Sequence, residues 1–298
     1  MLSTSITNSM LGCLTALISA ASWAFGSILF RKLGDKATPL AMNFVKGIIG
    51  TVYLLVVISF LGFEKTDAQT ILLLSASGLL GIALGDTLFF KALIYLGPRL
   101  TILLSTLGPV FTITLAIIFL RERPSFLAWI GMFLTTSGIL WVLWERAPRE
   151  EAKNNWKPGV KFAILSAACM SLGIIFAKLG VVTSSAIQAT LIRISASFVS
   201  LGFWGILTHS LDKWIAPFKS KKMLGLIALA VFVAIFGGFW MFLLALKYID
   251  ASIATILSST TPLFILPMSA FFLKERISAR AILGACVAVS GVVLIFLA

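Results

Sequence analysis

Displaced by 153 residues, the chain aligns with itself without a gap. Phe89 falls on Phe242, Ala92-Leu93 on Ala245-Leu246 and Tyr95 on Tyr248. Pro109 falls on Pro262, Glu122-Arg123 on Glu275-Arg276, Gly131 on Gly284, and Ser137-Gly138 on Ser290-Gly291. About 17 of the 56 positions from Leu88 to Leu143 are identical in the second copy. Most of the others are apolar in both. A duplication of this size sets the architecture before any helix is assigned.

The repeated material is apolar. The 298 residues are 59% hydrophobic and 12% charged, with a mean hydropathy of +1.06. A soluble α/β enzyme has no interior large enough for that much apolar surface, so the chain belongs in a bilayer. The net charge of +13 does not form a basic stripe interleaved with aromatics, which argues against a nucleic-acid partner. The cations stand in short groups between apolar runs, as membrane connections do. Cys13, Cys169 and Cys286 are widely spaced within apolar runs and are read as small packing residues, with no disulfide or metal pattern.

Runs of about 20 apolar residues suffice to cross a hydrocarbon core roughly 30 Å thick. Ten are expected: 10–30, 38–61, 70–96, 100–120 and 125–144, then 160–177, 184–208, 223–248, 251–273 and 278–297. Helices are the form that satisfies every peptide group within lipid, and the alternating ten-residue segments of a membrane β-barrel are missing. The polar stretch Glu145 to Gly159 joins five spans to five. The expected organisation is therefore a first repeat over 1–145, a linker over 146–159 and a second repeat over 160–298. The basic residues follow the first span, as Arg31, Lys32 and Lys36, and none precede it, which suits a retained helix rather than a cleaved signal peptide.

The front parts of the two halves correspond at an offset of 147, with Ser19-Ala20-Ala21 on Ser166-Ala167-Ala168, Gly26 on Gly173 and Lys46 on Arg193. Five spans is an odd number, so the second unit enters the membrane from the opposite side. The expected fold is an all-α integral membrane protein of ten transmembrane helices in two inverted five-helix repeats. Charge agrees: about 16 Lys and Arg residues fall in or beside the odd-numbered connections and about 5 in the even ones. The same rule places the odd connections in the cytoplasm and both termini outside, in an inner or plasma membrane.

Four ionisable side chains fall within spans: Lys46, Asp86, Lys91 and Arg193. A lone charge at a helix centre costs about 2.5 to 3.5 kcal/mol on insertion scales, so each needs a partner or a hydrated cavity. Lys46 lies roughly 12 Å into its span and Asp86 at a similar depth in the next. The two suit either a structural ion pair holding helices in register or a pair that titrates along a transport path. Lys91 is near enough to the surface to snorkel. Arg193 has no acid at membrane depth in its own half. It suits either capping by helix-end carbonyls or recognition of a carboxylate or phosphate. Two deep cations against one deep acid favour an anionic or zwitterionic cargo.

Trp23 and Trp240 lie well inside spans and are read as cavity lining. Trp129, Trp141, Trp144, Trp156, Trp204 and Trp214 fit lipid-facing or interfacial positions. Ser105-Thr106 and Ser258-Ser259-Thr260-Thr261 precede Pro109 and Pro262, helix breaks whose freed carbonyls a hydroxyl or ligand can satisfy. Gly81, Gly85, Gly131, Gly138, Gly284 and Gly291 permit close helix contact. His209 is expected in a solvated loop. No metal cluster, catalytic constellation or phosphate-cradling loop is present in the sequence, so neither an enzyme nor a cofactor is expected.

Taken together, these features resemble the EamA-type branch of the drug/metabolite transporter superfamily. The resemblance rests on Trp23-Ala24-Phe25-Gly26, on Lys46 and Arg193, and on Ala92-Leu93 with Tyr95 and their copies at 245–248. It rests also on the two prolines, on Arg121-Glu122-Arg123 with Lys274-Glu275-Arg276, and on the paired glycines. It implies two inverted five-helix units around a central cavity that works by alternating access. The first, third, fourth, sixth, eighth and ninth helices would line that cavity. Asp86 followed by Lys91 stands outside the shared pattern.

The expected function is secondary transport of a small polar metabolite, an exported amino acid or related zwitterion first. The expected substrate site is Trp23, Lys46, Asp86, Ser105, Arg193, Trp240 and Ser259, with Pro109 and Pro262 as helix breaks and Asp86 as counter-ion or proton carrier. The alternatives are an antiporter of phosphorylated metabolites or nucleotide sugars and, in a different class, a channel or lipid scramblase. The partners expected are a small-molecule substrate and the lipid bilayer.

Overall fold

The computed structural model describes residues 2–34, 36–146, 156–264, 267–268 and 278–298. Lys274-Glu275-Arg276 and most of the linker lie outside the described residues. Within the described residues the chain is helical and holds no strand. The first half comprises α1 (Leu2–Gly34), α2 (Pro39–Leu61), α3 (Ala68–Ser77), α4 (Gly85–Ser105), α5 (Leu107–Leu115) and α6 (Phe126–Arg146). The second comprises α7 (Trp156–Val181), α8 (Ala186–Leu207), the short α9 (Leu211–Ile215), α10 (Lys221–Phe232), α11 (Met241–Tyr248), α12 (Ala251–Ser258) and α13 (Ala279–Phe296).

Six helices are long and apolar enough to cross a membrane: Thr7–Phe30, Pro39–Leu61, Ala68–Phe89, Lys157–Val181, Ala186–Leu207 and Lys221–Tyr248. Four shorter apolar helices, Leu107–Leu120, Phe126–Val142, Ala251–Phe264 and Ile282–Phe296, fall in the fourth, fifth, ninth and tenth expected segments. The protein is a multi-pass, all-helical membrane protein.

Local chemistry marks the helix ends. Thr38 accepts a hydrogen bond from the Ala41 amide, with Pro39 in the first turn, a residue whose missing N–H is harmless there. Asp67 accepts from the Thr70 amide at 3.0 Å and the Thr70 hydroxyl at 2.7 Å. Gly62 closes α2 at φ 90, a backbone angle that favours glycine.

The third and eighth segments each pass through a π-helical stretch, Gly78–Leu84 between α3 and α4 and Val233–Trp240 between α10 and α11. These overlap under the repeat offset. A third stretch, Ala116–Leu120, follows α5. Such turns loosen the carbonyl ladder and often accompany functional sites.

A connection is expected between Leu96 and Leu100, yet Gly85–Ser105 is helical throughout. Its contacts along α7 nevertheless run down and back. The Gly85 carbonyl accepts from Ser166, Leu96 packs on Gly159, and the Gly108 carbonyl accepts from Ser171. At 1.5 Å per residue a straight helix cannot meet all three, so the path reverses between Leu96 and Gly108.

Packing exchanges segments between halves. The first segment lies along the eighth, through Gly12 on Ile249 and Ser19 on Gly238. The sixth lies along the third, through Gly159 on Leu96 and Ser166 on Gly85. α2 runs antiparallel to α8, with Gly47 against Phe198 and Gly50 against Ile194. α6 runs antiparallel to α13, where Gly131 meets Gly291 and Gly138 meets Gly284. β-Carbons at Gly138 and Gly291 would collide with the backbone nitrogens of Ala288 and Thr135. The paired glycines therefore let two backbones touch.

Trp129, Trp141 and Trp204 are exposed on the outer surface, as expected. Trp214 differs. It is only 7% exposed and packs at 5.6 Å on Phe44, because α9 folds back against α2. The side chains of Trp144 and Trp156 are outside the described set. Cys13 and Cys169 are buried, whereas Cys286 is exposed and so does not serve packing. His209 is exposed in its connection at φ 50.

Candidate functional site

Lys46 sits on the buried face of α2, with 9% of its side chain exposed. Its Nζ is 3.7 Å from Asp86 Oδ2 and 5.2 Å from the centre of the Phe239 ring. Asp86 and Phe239 are separated by 153 residues, the repeat offset, so Lys46 stands between two equivalent positions. One offers a carboxylate and the other a π face, both attractive to a cation. Asp86 is the more open partner, with 24% of its side chain exposed. It opens the first turn of α4 at the end of the π stretch. One turn before Lys46, Asn43 donates to the Ile82 carbonyl at 3.4 Å, and its Oδ1 is buried without a partner.

Aromatic groups wall this cluster. Trp23 meets Phe239 edge-on at 4.9 Å, an arrangement that brings a positive ring edge to a negative face. It lies so close to Gly238 that a β-carbon there would be 3.1 Å from the indole nitrogen. Trp240 meets Phe236 edge-on at 6.1 Å and packs against both main apolar cores.

Arg193 occupies the repeat-equivalent of Lys46, on α8, and is 5% exposed. Its backbone carbonyl lies against Gly78, and its guanidinium approaches Gly81, both in the π stretch of the third segment. Its Nε is buried with no hydrogen-bond partner. Lys46–Asp86 is the only ion pair within 4.0 Å among the described residues, so no described carboxylate pairs with Arg193. A desolvated guanidinium left in that state is costly and attracts an anion.

The hydroxyls and prolines form a second place. A cavity of about 200 Å³ is lined by Ser105, Thr106, Pro109, Thr136, Ile139, Ser259 and Pro262. Ser259 donates back to the Thr255 carbonyl at 2.8 Å. Thr261 donates at 2.9 Å to the Ser258 carbonyl that Pro262 leaves without its helical partner. The lining carries no charge. Trp23, Lys46, Asp86, Arg193 and Trp240 do not border this cavity. The expected site residues thus do not form one place: Trp23, Lys46 and Asp86 gather around Phe239, Arg193 lies against the π stretch, and Ser105 and Ser259 line a neutral, hydroxyl-bearing cavity. Lys91 joins neither. It is exposed, with its Nζ 5.6 Å from the Phe162 ring.

Three contributors are absent from the site expected from sequence: Phe239 beneath Lys46, Glu122 and Lys178. Glu122 is 8% exposed and accepts hydrogen bonds from the first turn of α12. Lys178 donates to the Leu246 and Ile249 carbonyls at 2.6 Å each. The repetition of Glu122 at Glu275 is the sequence signal for Glu122, and the repeat offset from Asp86 is the signal for Phe239.

The description EamA-like transporter family matches this chain twice, over residues 10–144 and 157–297. The chain belongs to that family. The family lies within the drug/metabolite transporter superfamily, and this kinship makes the protein a membrane transporter of that type. A protein described as an uncharacterized transporter from Archaeoglobus fulgidus is 25% identical over 290 residues, covering 97% of this chain and 99% of that one. A solved structure titled only as the crystal structure of a protein superposes with a TM-score of 0.76 at 15% identity. It covers 97% of this chain and 96% of its own. At that identity the likeness speaks for the fold alone.

Proposed function

We propose that this family member is a secondary transporter of a small polar metabolite, an amino acid or related zwitterion first, working outward by alternating access. Its ten segments form two inverted five-helix units, over 1–145 and 160–298. The antiparallel packing of α2 on α8 and of α6 on α13 supports that arrangement. The odd connections face the cytoplasm and both termini lie outside, following the bias of basic residues.

The observation that carries the reading is Arg193: buried in a span, its Nε without a partner, and no described carboxylate paired with it. It holds the acidic group of the cargo. Asp86, the more open member of its pair with Lys46, exchanges partners or carries a proton during the cycle. The neutral cavity by Ser105 and Ser259 takes the uncharged part of the cargo, between the helix breaks at Pro109 and Pro262. Trp23 and Trp240 wall the path.

Flux of labelled amino acids into proteoliposomes tests this. Wild-type protein should transport, Arg193→Ala should abolish saturable uptake, and Asp86→Asn should remove its dependence on a proton gradient. Transport indifferent to both changes would defeat the site assignment. An antiporter of phosphorylated metabolites needs Lys46 and Arg193 both free. The Lys46–Asp86 pair makes that the second reading. A channel or lipid scramblase would betray itself by flux that does not saturate.

A further inference from the structure

Four connections of the chain meet on one face: 62–67, 121–125, 182–185 and 249–250. Several bonds there cross from one half to the other. Glu64 accepts from the Ser185 amide at 2.9 Å. Gln188 holds the Glu64 backbone on both sides, at 2.9 and 2.8 Å. The hydroxyls of Thr70 and Thr183 are 2.6 Å apart.

Glu122 makes the crossing that carries a buried formal charge. Arg121 turns the chain at φ 56 after the π stretch, directing Glu122 inward. One carboxylate oxygen accepts from the Ala251 amide at 2.6 Å. The other accepts from the Ser252 amide at 3.1 Å and the Ser252 hydroxyl at 2.6 Å. An anion from the first half thereby caps the N-terminus of α12 in the second, where the helix dipole favours it. Lys178 caps the end of α11 just before, so the α11–α12 junction is gripped by a cation and an anion. One helix further on, Ser259 and Pro262 wall the neutral cavity. A shift of the α12 N-terminus moves that wall.

We infer that Glu122 is the releasable latch of this face, holding it shut until α12 swings and opens the cavity to the even-connection side. The inference rests on the alternating-access reading, because an opening face must break the bonds that cross it. Charge-assisted bonds to a buried carboxylate are the strongest of the set and so set the balance between shut and open.

The test uses full-length protein with Cys13, Cys169 and Cys286 replaced by alanine and Thr255→Cys added as a reporter. Thr255 is 6% exposed, one turn inside α12. A membrane-impermeant maleimide is applied from the even-connection side of proteoliposomes. Glu122→Gln should raise reporter labelling about tenfold or more, the population shift that follows loss of a charge-assisted bond. A Thr70→Cys/Thr183→Cys disulfide added to it should return labelling of the Thr255→Cys peptide, read by mass spectrometry, to the wild-type level until reduced. Unchanged labelling with a lowered melting temperature would make Glu122 a structural cap only and overturn the inference. If Glu122→Gln does not fold, Ser252→Ala, which removes the hydroxyl bond to the same carboxylate, decides. Raised labelling upholds the latch, and labelling equal to wild type overturns it. Labelling needs no cargo, so absence of flux in every preparation would count against the transport reading and not against the latch.

Discussion

The Ser166 hydroxyl donates to the Gly85 carbonyl at 2.8 Å, and the same bond exists once more, from Ser19 to Gly238 at 2.9 Å. The serines are 147 residues apart and the glycines 153, the two offsets of the duplicated sequence. Each bond joins one half to the other, and the halves exchange donor and acceptor roles. Ser166→Ala and Ser19→Ala should each lower stability by about 1 kcal/mol, the usual net worth of a buried hydrogen bond. Thermal unfolding in detergent reads both. A loss confined to one serine would show that the two junctions are not equivalent.

The contact between α6 and α13 depends on hydrogen atoms in place of β-carbons. Gly138→Ala and Gly291→Ala should each destabilise by roughly 1 to 3 kcal/mol, because backbone on the facing helix cannot move aside as a side-chain tip can. Gly26→Ala is the control. Nothing lies within 4 Å of its added methyl group, and the helix gains up to about 1 kcal/mol from alanine. Melting temperatures of the three variants should fall in that order of sign.

Lys46 and Asp86 need each other more than the fold needs either. Lys46→Met strands a carboxylate at membrane depth and should cost about 3 to 5 kcal/mol, towards the lower end because Asp86 is partly open. Lys46→Met combined with Asp86→Leu should return stability to within about 1 kcal/mol of wild type, as buried pairs replaced by apolar groups often do. If the pair serves the cycle, the double variant stays folded and idle. Unfolding and flux measured together separate the roles.

Asp250 lies in the connection between α11 and α12, where burial, and then the nearby Glu122 carboxylate, raise its pKa above the ordinary 3.8 despite Lys178. The folded protein therefore holds this proton more tightly than the unfolded chain. The associated stability is present below the unfolded value and is lost as pH rises through the folded one. Asp250→Asn should raise the melting temperature at about pH 7, and the gain should shrink as the pH is lowered below the ordinary carboxylate range, where the folded and unfolded forms both carry the proton. A gain independent of pH would place its cause elsewhere.

The helical membrane class, the family and the duplication were legible from residues alone, since apolar runs in lipid must satisfy their backbone within the run. Trp214 misled because an amphipathic tryptophan beside a connection suits an interface as well as a pocket, and only the fold-back of α9 chose. Cys286 misled in the opposite direction, since a small apolar residue fits either face of α13. From sequence the site reads as one place because Trp23, Lys46, Ser105 and Ser259 all lie deep in spans. Depth says nothing about which side of a helix a residue occupies.

The order of apolar segments, the offset between copies and the sparse deep charges follow from local chemistry, each within one helix length. Tertiary structure alone decided that Lys46 stands between Asp86 and Phe239, that Arg193 backs onto a π stretch, and that Glu122 caps a helix starting 129 residues later. Those choices depend on which helix faces lie together. Between lipid-embedded helices, that is set by small-residue contacts and single hydrogen bonds rather than by hydrophobicity, since lipid tails are as apolar as the side chains they would replace.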